Sequence, residues 1–189
     1  MIRRRLKVLK QRGYIEDGEL TAKGRFASRI NGYEVQSAEL LHYGLFHLAD
    51  EYQLCVLMLA LVFEERRGDM SSRLDDGIIQ EIKPLSEKKI AEFRRAEFEN
   101  GLDDLTQDVN FRMAAPAYAW AHGATFDELR RLTNISDGDL VRNFRMAIQI
   151  MRNVKHALGE EPDLKKKFDR AMDMINRDEV DAKRQLELG

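Results

Sequence analysis

The chain has 189 residues, of which 43% are hydrophobic and 34% charged, and its net charge is −2. This length and composition are typical of one large folded domain, or of a domain joined to a fragment of another. Because the molecule as a whole is not basic, any binding of a nucleic acid or another polyanion has to come from a local patch of cations.

Cysteine content and hydropathy give expectations about the compartment. The single cysteine, Cys55, excludes an internal disulfide and suits a reducing compartment, so we expect a cytoplasmic protein. The basic start MIRRRLKVLK lacks the apolar region of a signal peptide. The longest apolar run, Leu54 to Phe63, is too short to cross a bilayer, so we expect no membrane partner.

The first 31 residues form a pattern of their own. Residues 2–12 predict a short basic helix that Gly13 ends. Two very short strands follow about the turn Asp17-Gly18, and Thr21 can cap a helix from Ala22 to about Ile30. Helix, β-wing, helix is the order found in the closing part of a winged-helix domain, by analogy of fold. We therefore predict the C-terminal part of a winged helix over residues 1–31 and a helical bundle over residues 32–189.

The remaining chain predicts helices separated by glycine and proline signals. Asp50 with Gln53 and Thr125 with Glu128 form capping boxes, and the apolar helix that Asp50 opens should be central. The predicted class is all-α, a multi-helix bundle with a partial winged-helix remnant at its N-terminus. The predicted helices cover residues 33–48 with an end near Tyr43-Gly44, 51–65, 86–100, 106–122, 125–132, 136–158 and 162–176, with a polar connection at 68–85 and a last partly apolar turn at Val180, Leu186 and Leu188.

The stretch from Ser136 to Leu158 carries the clearest functional pattern. At about 100° per residue its apolar side chains cover an arc of roughly 220°, wider than the stripe of an ordinary surface helix. The narrow remaining strip has a spacing of 3, 4, 3, 4, which is one straight row along a helix. That row consists of Arg142, Arg145, Gln149, Arg152 and His156.

Past the first turn this row contains no acid. Like charges three or four residues apart on a helix cost a few tenths of a kcal/mol per pair unless an anion lies beside them. We therefore interpret the row as a line of donors that faces a polyanion. The alternative is a solvated face, or a face bridged to acids elsewhere in the fold such as Glu128 or Asp169.

Catalytic motifs are absent from the sequence. It has no G-x-x-x-x-G-K-[ST] phosphate loop, no G-x-G-x-x-G, no cysteine pair and no H-E-x-x-H, so we predict no catalytic residue, no metal site and no cofactor in this chain. His42 and His47 do not share a helical face, and His122 at a helix end is typical of a dipole partner. Whether the protein acts as part of an enzyme stays open on these grounds.

Several segments together resemble one family. They are LTAKGRFASRI (20–30), AELLHYGLFHL (38–48), ALVFEERR (60–67), YAWAHGATFDELRRLTNISDGDLVRNFRMAIQIMRNV (118–154) and NRDEVDAKRQL (176–186). The order W-x-x-G, a short capped helix, D-G-D-L-V-R-x-x-R and then R-D-E-V-D-A is similar to the C-terminal DSHCT domain of superkiller-like DExH-box RNA helicases of superfamily II. The match runs from about residue 13 to the end and is looser over residues 69–115.

The resemblance implies a role in an RNA helicase. In that family two ATPase domains and a winged helix precede this bundle, which closes a ring around single-stranded RNA. A long "ratchet" helix lines the exit path and corresponds to Ser136–Leu158. Arg142 and Arg145 match the family motif, whereas Gln149, Arg152 and His156 come from the row alone. The chain is then expected to be a piece of a longer helicase whose motor domains use ATP and Mg.

Two hypotheses for function follow. In the first, the bundle guides single-stranded RNA, with the row as its contact surface and the basic residues Arg3, Arg4, Arg5 and Lys7 as a second candidate contact. In the second, the bundle is a protein-interaction scaffold that docks on the helicase motor domains, or on an acidic partner, without binding RNA. The basic first helix then reflects a missing neighbour that would neutralise it.

Overall fold

The computed structural model describes residues 2–181 as a mostly helical chain with one small antiparallel sheet near its N-terminus. This confirms the predicted all-helical class with a short β-wing. The winged-helix assignment and the boundary at residue 31 stay predictions. The elements are α1 Ile2–Gln11, β1 Ile15–Glu16, β2 Glu19–Leu20, α2 Ala22–Ala27, α3 Glu34–His42, α4 Leu45–Leu48, α5 Glu51–Val62, α6 Asp76–Ile79, α7 Ile82–Glu99, a 3₁₀ turn Phe111–Met113, α8 Ala114–Ala121, α9 Phe126–Leu132, α10 Asp137–Ala157 and α11 Pro162–Ile175.

Helix α5 lies at the centre of the bundle, as its sequence predicted. Every residue from Leu54 to Phe63 is buried, and the helix packs against α8, α10 and α11. A helix that is apolar on all sides has to be surrounded, because each large aliphatic side chain gains about 1.5–3 kcal/mol on leaving water. The other long helices are therefore arranged around α5.

Both predicted capping boxes are present. Asp50 accepts a hydrogen bond from the Gln53 backbone N–H at 2.8 Å, and the Gln53 side chain accepts one from the Asp50 N–H at 2.9 Å. Thr125 and Glu128 satisfy each other's N–H groups in the same way at the start of α9. These reciprocal bonds satisfy donors that a helix start otherwise leaves unpaired.

A buried ionic cluster joins the N-terminal segment to the bundle. The carboxylate of Glu39 on α3 is fully buried and lies 2.6 Å from Lys23 Nζ on α2 and 3.1 Å from Arg12 Nη2. The Tyr14 hydroxyl donates to it at 2.9 Å. Burial raises the pKa of Tyr14 and the Glu39 charge raises it further, so the phenol stays protonated and keeps donating.

Close approach of backbone explains one glycine in the segment that follows the wing. A Cβ at Gly24 would overlap the carbonyl oxygen of Tyr14. Only glycine lets α2 pack this closely on the chain that leads into β1. Thr21 caps the helix as predicted, by accepting from the Gly24 N–H at 3.1 Å.

Two predicted helices have wrong starts. Helix α7 begins at Ile82 and not at Ser86, because Pro84 falls in its first turn, where its missing N–H has no partner to lose. The helix predicted over residues 106–122 is wrong in its first half. Pro116 cannot sit inside a helix of that length, and it lies instead in the first turn of α8.

Tertiary contacts hold residues 102–110 in an irregular path. The buried carboxylate of Glu97 accepts from the backbone N–H of Thr106 at 2.7 Å and from its hydroxyl at 2.9 Å. Arg94 donates to the Thr106 carbonyl oxygen at 2.9 Å. These long-range bonds replace the ones that a helix would have made over the same residues.

The remaining helix ends differ from the prediction by a few residues. Helix α2 stops at Ala27, and α5 stops at Val62. The predicted break at Tyr43-Gly44 is confirmed, since Gly44 has a φ of 76° that separates α3 from the short α4. Val180 is buried as the last partly apolar turn required, whereas Leu186 and Leu188 lie outside the described residues.

Residues 2–181 contain neither a cluster suited to a metal ion nor a helix suited to a membrane. No group of three or more histidine, cysteine, aspartate or glutamate side chains in this range is arranged to hold a metal ion. None of the helices in the same range has the length and apolar character needed to cross a membrane.

We predict that Glu39→Ala lowers the free energy of unfolding by about 3–5 kcal/mol, because it leaves the buried Lys23 ammonium without a counter-charge and removes the closer of the two carboxylates beside Arg12. Urea unfolding monitored by circular dichroism measures the change. Glu87→Ala removes an exposed carboxylate from α7 and is the matched control. It should change stability by no more than about 0.5 kcal/mol. A loss of similar size in both variants would contradict the role given to the cluster.

Candidate nucleic-acid interface

Helix α10 presents the predicted row of donors, and its burial follows from its sequence. Ser136 caps the helix by accepting from the Asp139 N–H at 3.2 Å. One broad face is buried against α5 and α11. It consists of Leu140, Asn143, Phe144, Ala147, Ile148, Ile150, Met151, Val154 and Ala157. Because this face is so wide, only a narrow strip of the helix reaches solvent.

Four of the five predicted residues lie exposed on that strip. Arg142, Gln149, Arg152 and His156 are all solvent-accessible, and they extend over about 21 Å at 1.5 Å per residue. Within the described part of the chain, the side chains of Arg152 and His156 make no hydrogen bond or ion pair. Gln149 donates only to its neighbour Asn153 on the same helix, at 3.1 Å.

Arg145 differs from the other four because its guanidinium is engaged by backbone. Its Nε donates to the Val180 carbonyl oxygen at 2.9 Å, and its Nη2 donates to that of Glu179 at 3.3 Å. The side chain is accordingly only partly exposed. This motif arginine thus fastens the segment after α11 onto α10, a contact that the row pattern did not predict.

Acids near the row lie at its N-terminal end. Arg142 Nη2 is 3.7 Å from Asp139, whose carboxylate is also held by Arg66 at 3.0 Å. The Arg142 side chain remains 56% exposed, so this pair leaves most of the guanidinium accessible to another anion. Burial raises the pKa of Tyr33, a nearby Glu64 raises it further, and Arg142 opposes the shift.

The two acids named as bridging alternatives are engaged elsewhere. Asp169 pairs with Lys155 at 2.5 Å, and Glu128 completes the capping box of α9. Within residues 2–181 neither forms an ion pair with a member of the row. The carboxylate of Asp137, the first residue of α10, is also paired locally. Arg130 lies 2.5 Å from it and lowers the pKa of that carboxyl.

The loop before α3 forms one wall beside the strip. The Tyr33 hydroxyl lies 3.6 Å from Met146 Sδ, and Asn153 donates to the Asn31 carbonyl oxygen at 3.1 Å. Between them, a Cβ added to Gly32 would lie 3.8 Å from Ile150 Cδ1. The loop therefore runs antiparallel to α10 along its flank, with residue 33 beside the first half of the helix and residue 31 beside its second half.

The C-terminal segment forms a second wall, which contacts α10 at Arg145. Arg145 holds residues 179–180, and Arg177 holds the same segment to the end of α8 through carbonyls of Trp120 and Ala124, each at 2.7 Å. The Arg177 guanidinium also stacks 3.6 Å from the centre of the Trp120 ring. The W-x-x-G, R-x-x-R and R-D-E-V segments, distant in sequence, thus meet in one place.

The four basic residues of α1 that form the second candidate contact differ in their surroundings: two have partners in the described part of the chain and two do not. Arg4 donates to the Gly101 carbonyl oxygen at 2.6 Å, and Arg5 pairs with Asp104 at 3.0 Å. Arg3 and Lys7 are exposed and have no ion pair within the described residues. Two of the five basic side chains of α1 therefore fix this helix to the loop after α7, and the row on α10 is the more continuous surface.

Comparison with known proteins identifies the family to which these segments belong. The DSHCT (NUC185) domain family matches residues 17–182. The chain belongs to the DSHCT family. The ATP-dependent RNA helicase mtr4 of Schizosaccharomyces pombe is 28% identical over 184 residues, and the exosome RNA helicase MTR4 of Homo sapiens is 28% identical over 185. Superkiller complex protein 2 of Homo sapiens is 26% identical over 182 residues.

These alignments cover 93% of this DSHCT chain in each case but only 16%, 18% and 14% of the respective relatives. The chain therefore spans less than a fifth of the length of the helicases that it matches. The family match begins at residue 17, inside the segment predicted as part of a winged helix, so it includes β2, α2 and the whole bundle through α11.

We predict that Arg145→Ala destabilises the DSHCT domain by about 1.5–3 kcal/mol, because backbone carbonyls at residues 179–180 lose a charged donor. Amide hydrogen exchange should rise in residues 177–181 before it rises in α5. Arg152→Ala is the matched control, since this arginine has no partner in the described range and its loss should cost less than about 0.5 kcal/mol. Equal amide exchange of residues 177–181 in the two variants would contradict the role of Arg145 in fixing this segment.

Proposed function

We propose that this DSHCT domain is an accessory domain of an ATP-dependent RNA helicase and guides single-stranded RNA along α10. The observation that carries the proposal is the exposed row of Arg142, Gln149, Arg152 and His156 on α10, beside the two segments that pack against this helix. A row of exposed donors whose internal contacts are limited to the Arg142–Asp139 pair and the Gln149–Asn153 hydrogen bond is suited to an anionic strand that runs parallel to the helix. Family membership and the helicase relatives support the same assignment.

The proposed contact is one of position, without base specificity. The guanidinium groups of Arg142 and Arg152 contact phosphates, and they can also stack on bases. Gln149 and His156 lie between and beyond them and supply hydrogen bonds to sugars or base edges. Arg145 acts indirectly in this scheme, because it holds the wall along which the strand passes.

The weak charge of the domain limits its affinity. With two phosphate-contacting arginines, the binding constant for a single strand falls with a log–log salt slope of only about −1.4, at roughly −0.7 per phosphate. Movement of the strand therefore needs another source of free energy. We propose that the motor domains of a cytoplasmic parent helicase supply it with ATP and Mg, since this chain has no phosphate loop to hold either.

A second candidate function is docking on the motor domains or on an acidic partner without RNA contact. The observation that favours it is the surface of α1, where Ile2 is 84% and Leu6 42% exposed beside Arg3 and Lys7. Exposed apolar side chains among cations are typical of a protein interface. This candidate places the working surface on α1 and leaves the row on α10 solvated.

We predict that Arg142→Glu/Arg152→Glu weakens binding of fluorescein-labelled oligouridine by about tenfold or more at low salt and flattens the salt dependence, because two phosphate contacts become repulsive. Fluorescence anisotropy titrations measure both quantities. Lys88→Glu/Arg95→Glu is the matched control, since both residues are exposed on α7 and make no ion pair within the described residues. The control carries the same charge change and should bind nearly as the wild type does.

The same titrations separate the two candidate functions. If the α10 variant and the α7 variant lose affinity equally, RNA senses overall charge alone and the row is not its site. If the wild type binds no RNA at low salt but captures separately expressed motor domains, the docking function replaces the guiding one. Capture should then be lost in Ile2→Glu/Leu6→Glu and retained in Arg142→Glu/Arg152→Glu.

A further inference from the structure

A cavity of about 350 Å³ opens at the C-terminal end of α10, between α2, α3 and the turn that leads to α11. Its size is at the lower end of the range of about 300–1,000 Å³ found for small-molecule sites. The lining combines an apolar interior with a basic side. It consists of Ala22, Lys23, Arg25, Phe26, Arg29, Ala38, Leu41, His42, Ala157, Leu158, Gly159 and Glu161.

The cavity continues the exposed strip of α10. His156 is the last member of the row, and the next two residues, Ala157 and Leu158, already line the cavity. The wall beside the strip leads to the same place, because Asn153 holds Asn31 and the chain then runs back through Arg29 into α2. The row of donors therefore ends within two residues of the cavity lining.

The charged side chains that line the cavity differ in whether they already have a hydrogen-bond or ion-pair partner. Lys23 is committed to the buried Glu39, and the acid Glu161 is 2.6 Å from His47 Nε2 outside the cavity. Arg25 donates through Nη1 to the Leu20 carbonyl oxygen at 2.5 Å. The Arg29 side chain is exposed and makes no hydrogen bond or ion pair with any residue in the described range. Arg29 is therefore the cation available to an incoming anion.

The interior suits a flat, weakly polar group. Phe26, Leu41 and Leu158 supply apolar surface, and His42 supplies a ring nitrogen at one side. Burial lowers the pKa of His42 and the nearby Lys23 lowers it further, so the imidazole is neutral at pH 7 and can both donate and accept. An aromatic ring with hydrogen-bonding edges matches this lining better than a bare phosphate does.

We propose that this cavity is a nucleotide subsite, in which one base of the single strand enters between Phe26, Leu41 and Leu158 while its phosphate meets Arg29. The inference rests on the proposed function, since it takes the strand to be the RNA guided along α10. It adds a fixed point at the end of a path that is otherwise made of independent phosphate contacts. The strand is held there by its base, without reading a defined sequence.

Oligouridines of graded length, from about 4 to 16 nucleotides as in other single-strand sites, test the subsite by anisotropy on the full chain. Arg29→Glu should weaken the longest oligonucleotides by about tenfold and leave the shortest, which the row alone can hold, nearly unchanged. Ala22→Trp narrows the exposed mouth without changing charge and should have the same length-dependent effect. Arg95→Glu is the charge-matched control and should change neither.

Photocrosslinking gives an independent readout. A strand that carries 4-thiouridine should crosslink to the peptide containing Phe26 or to the one containing Leu158, and Ala22→Trp should abolish this product. If Arg29→Glu and Ala22→Trp bind every length as the wild type does, the subsite is overturned while the row on α10 still stands. If Arg142→Glu/Arg152→Glu also leaves all binding unchanged, the proposed function falls as well.

Discussion

The fold depends on the complete enclosure of α5, because this decides how much of α10 can reach solvent. An apolar helix without a polar side has to be covered all round, and α10 supplies part of that cover with more than half of its own circumference. The strip that remains is too narrow for the mixed charges of an ordinary surface helix. The width of the strip is thus a consequence of how α10 packs against its neighbours.

Helix starts and ends could be predicted from the sequence wherever the contacts that fix them lie within one helical turn. The capping boxes at Asp50 and Thr125, the stop at Gly44 and the full extent of α10 all follow from side chains that meet backbone three or four residues away. The exposed row could be predicted for the same reason, since spacing along a helix fixes which residues share a face. The functional reading of that row remains a proposal that the fold accommodates.

Contacts between distant segments could not be predicted from pattern. Arg145 has the spacing of a row member, but its guanidinium meets carbonyls 34 and 35 residues further along the chain. Glu97 looks like a solvated acid in a charged helix, yet it is buried and organises residues 102–110. The cavity beside Arg29 is formed by α2, α3 and the end of α10 together, so no single stretch of sequence contains its signal.

The arginines on and beside α10 fall into two groups that make different kinds of contact. Arg145 and Arg177 donate to backbone carbonyls and hold the C-terminal wall, which requires permanent, geometrically fixed bonds. Arg142 and Arg152 remain solvated, and exposed cations bind phosphate weakly and release it quickly. A strand that has to move past a surface needs contacts of this second kind, because tight, buried pairing would stop it. The low net charge of −2 is consistent with the proposed guiding role, since a strongly basic domain would hold a polyanionic strand more tightly.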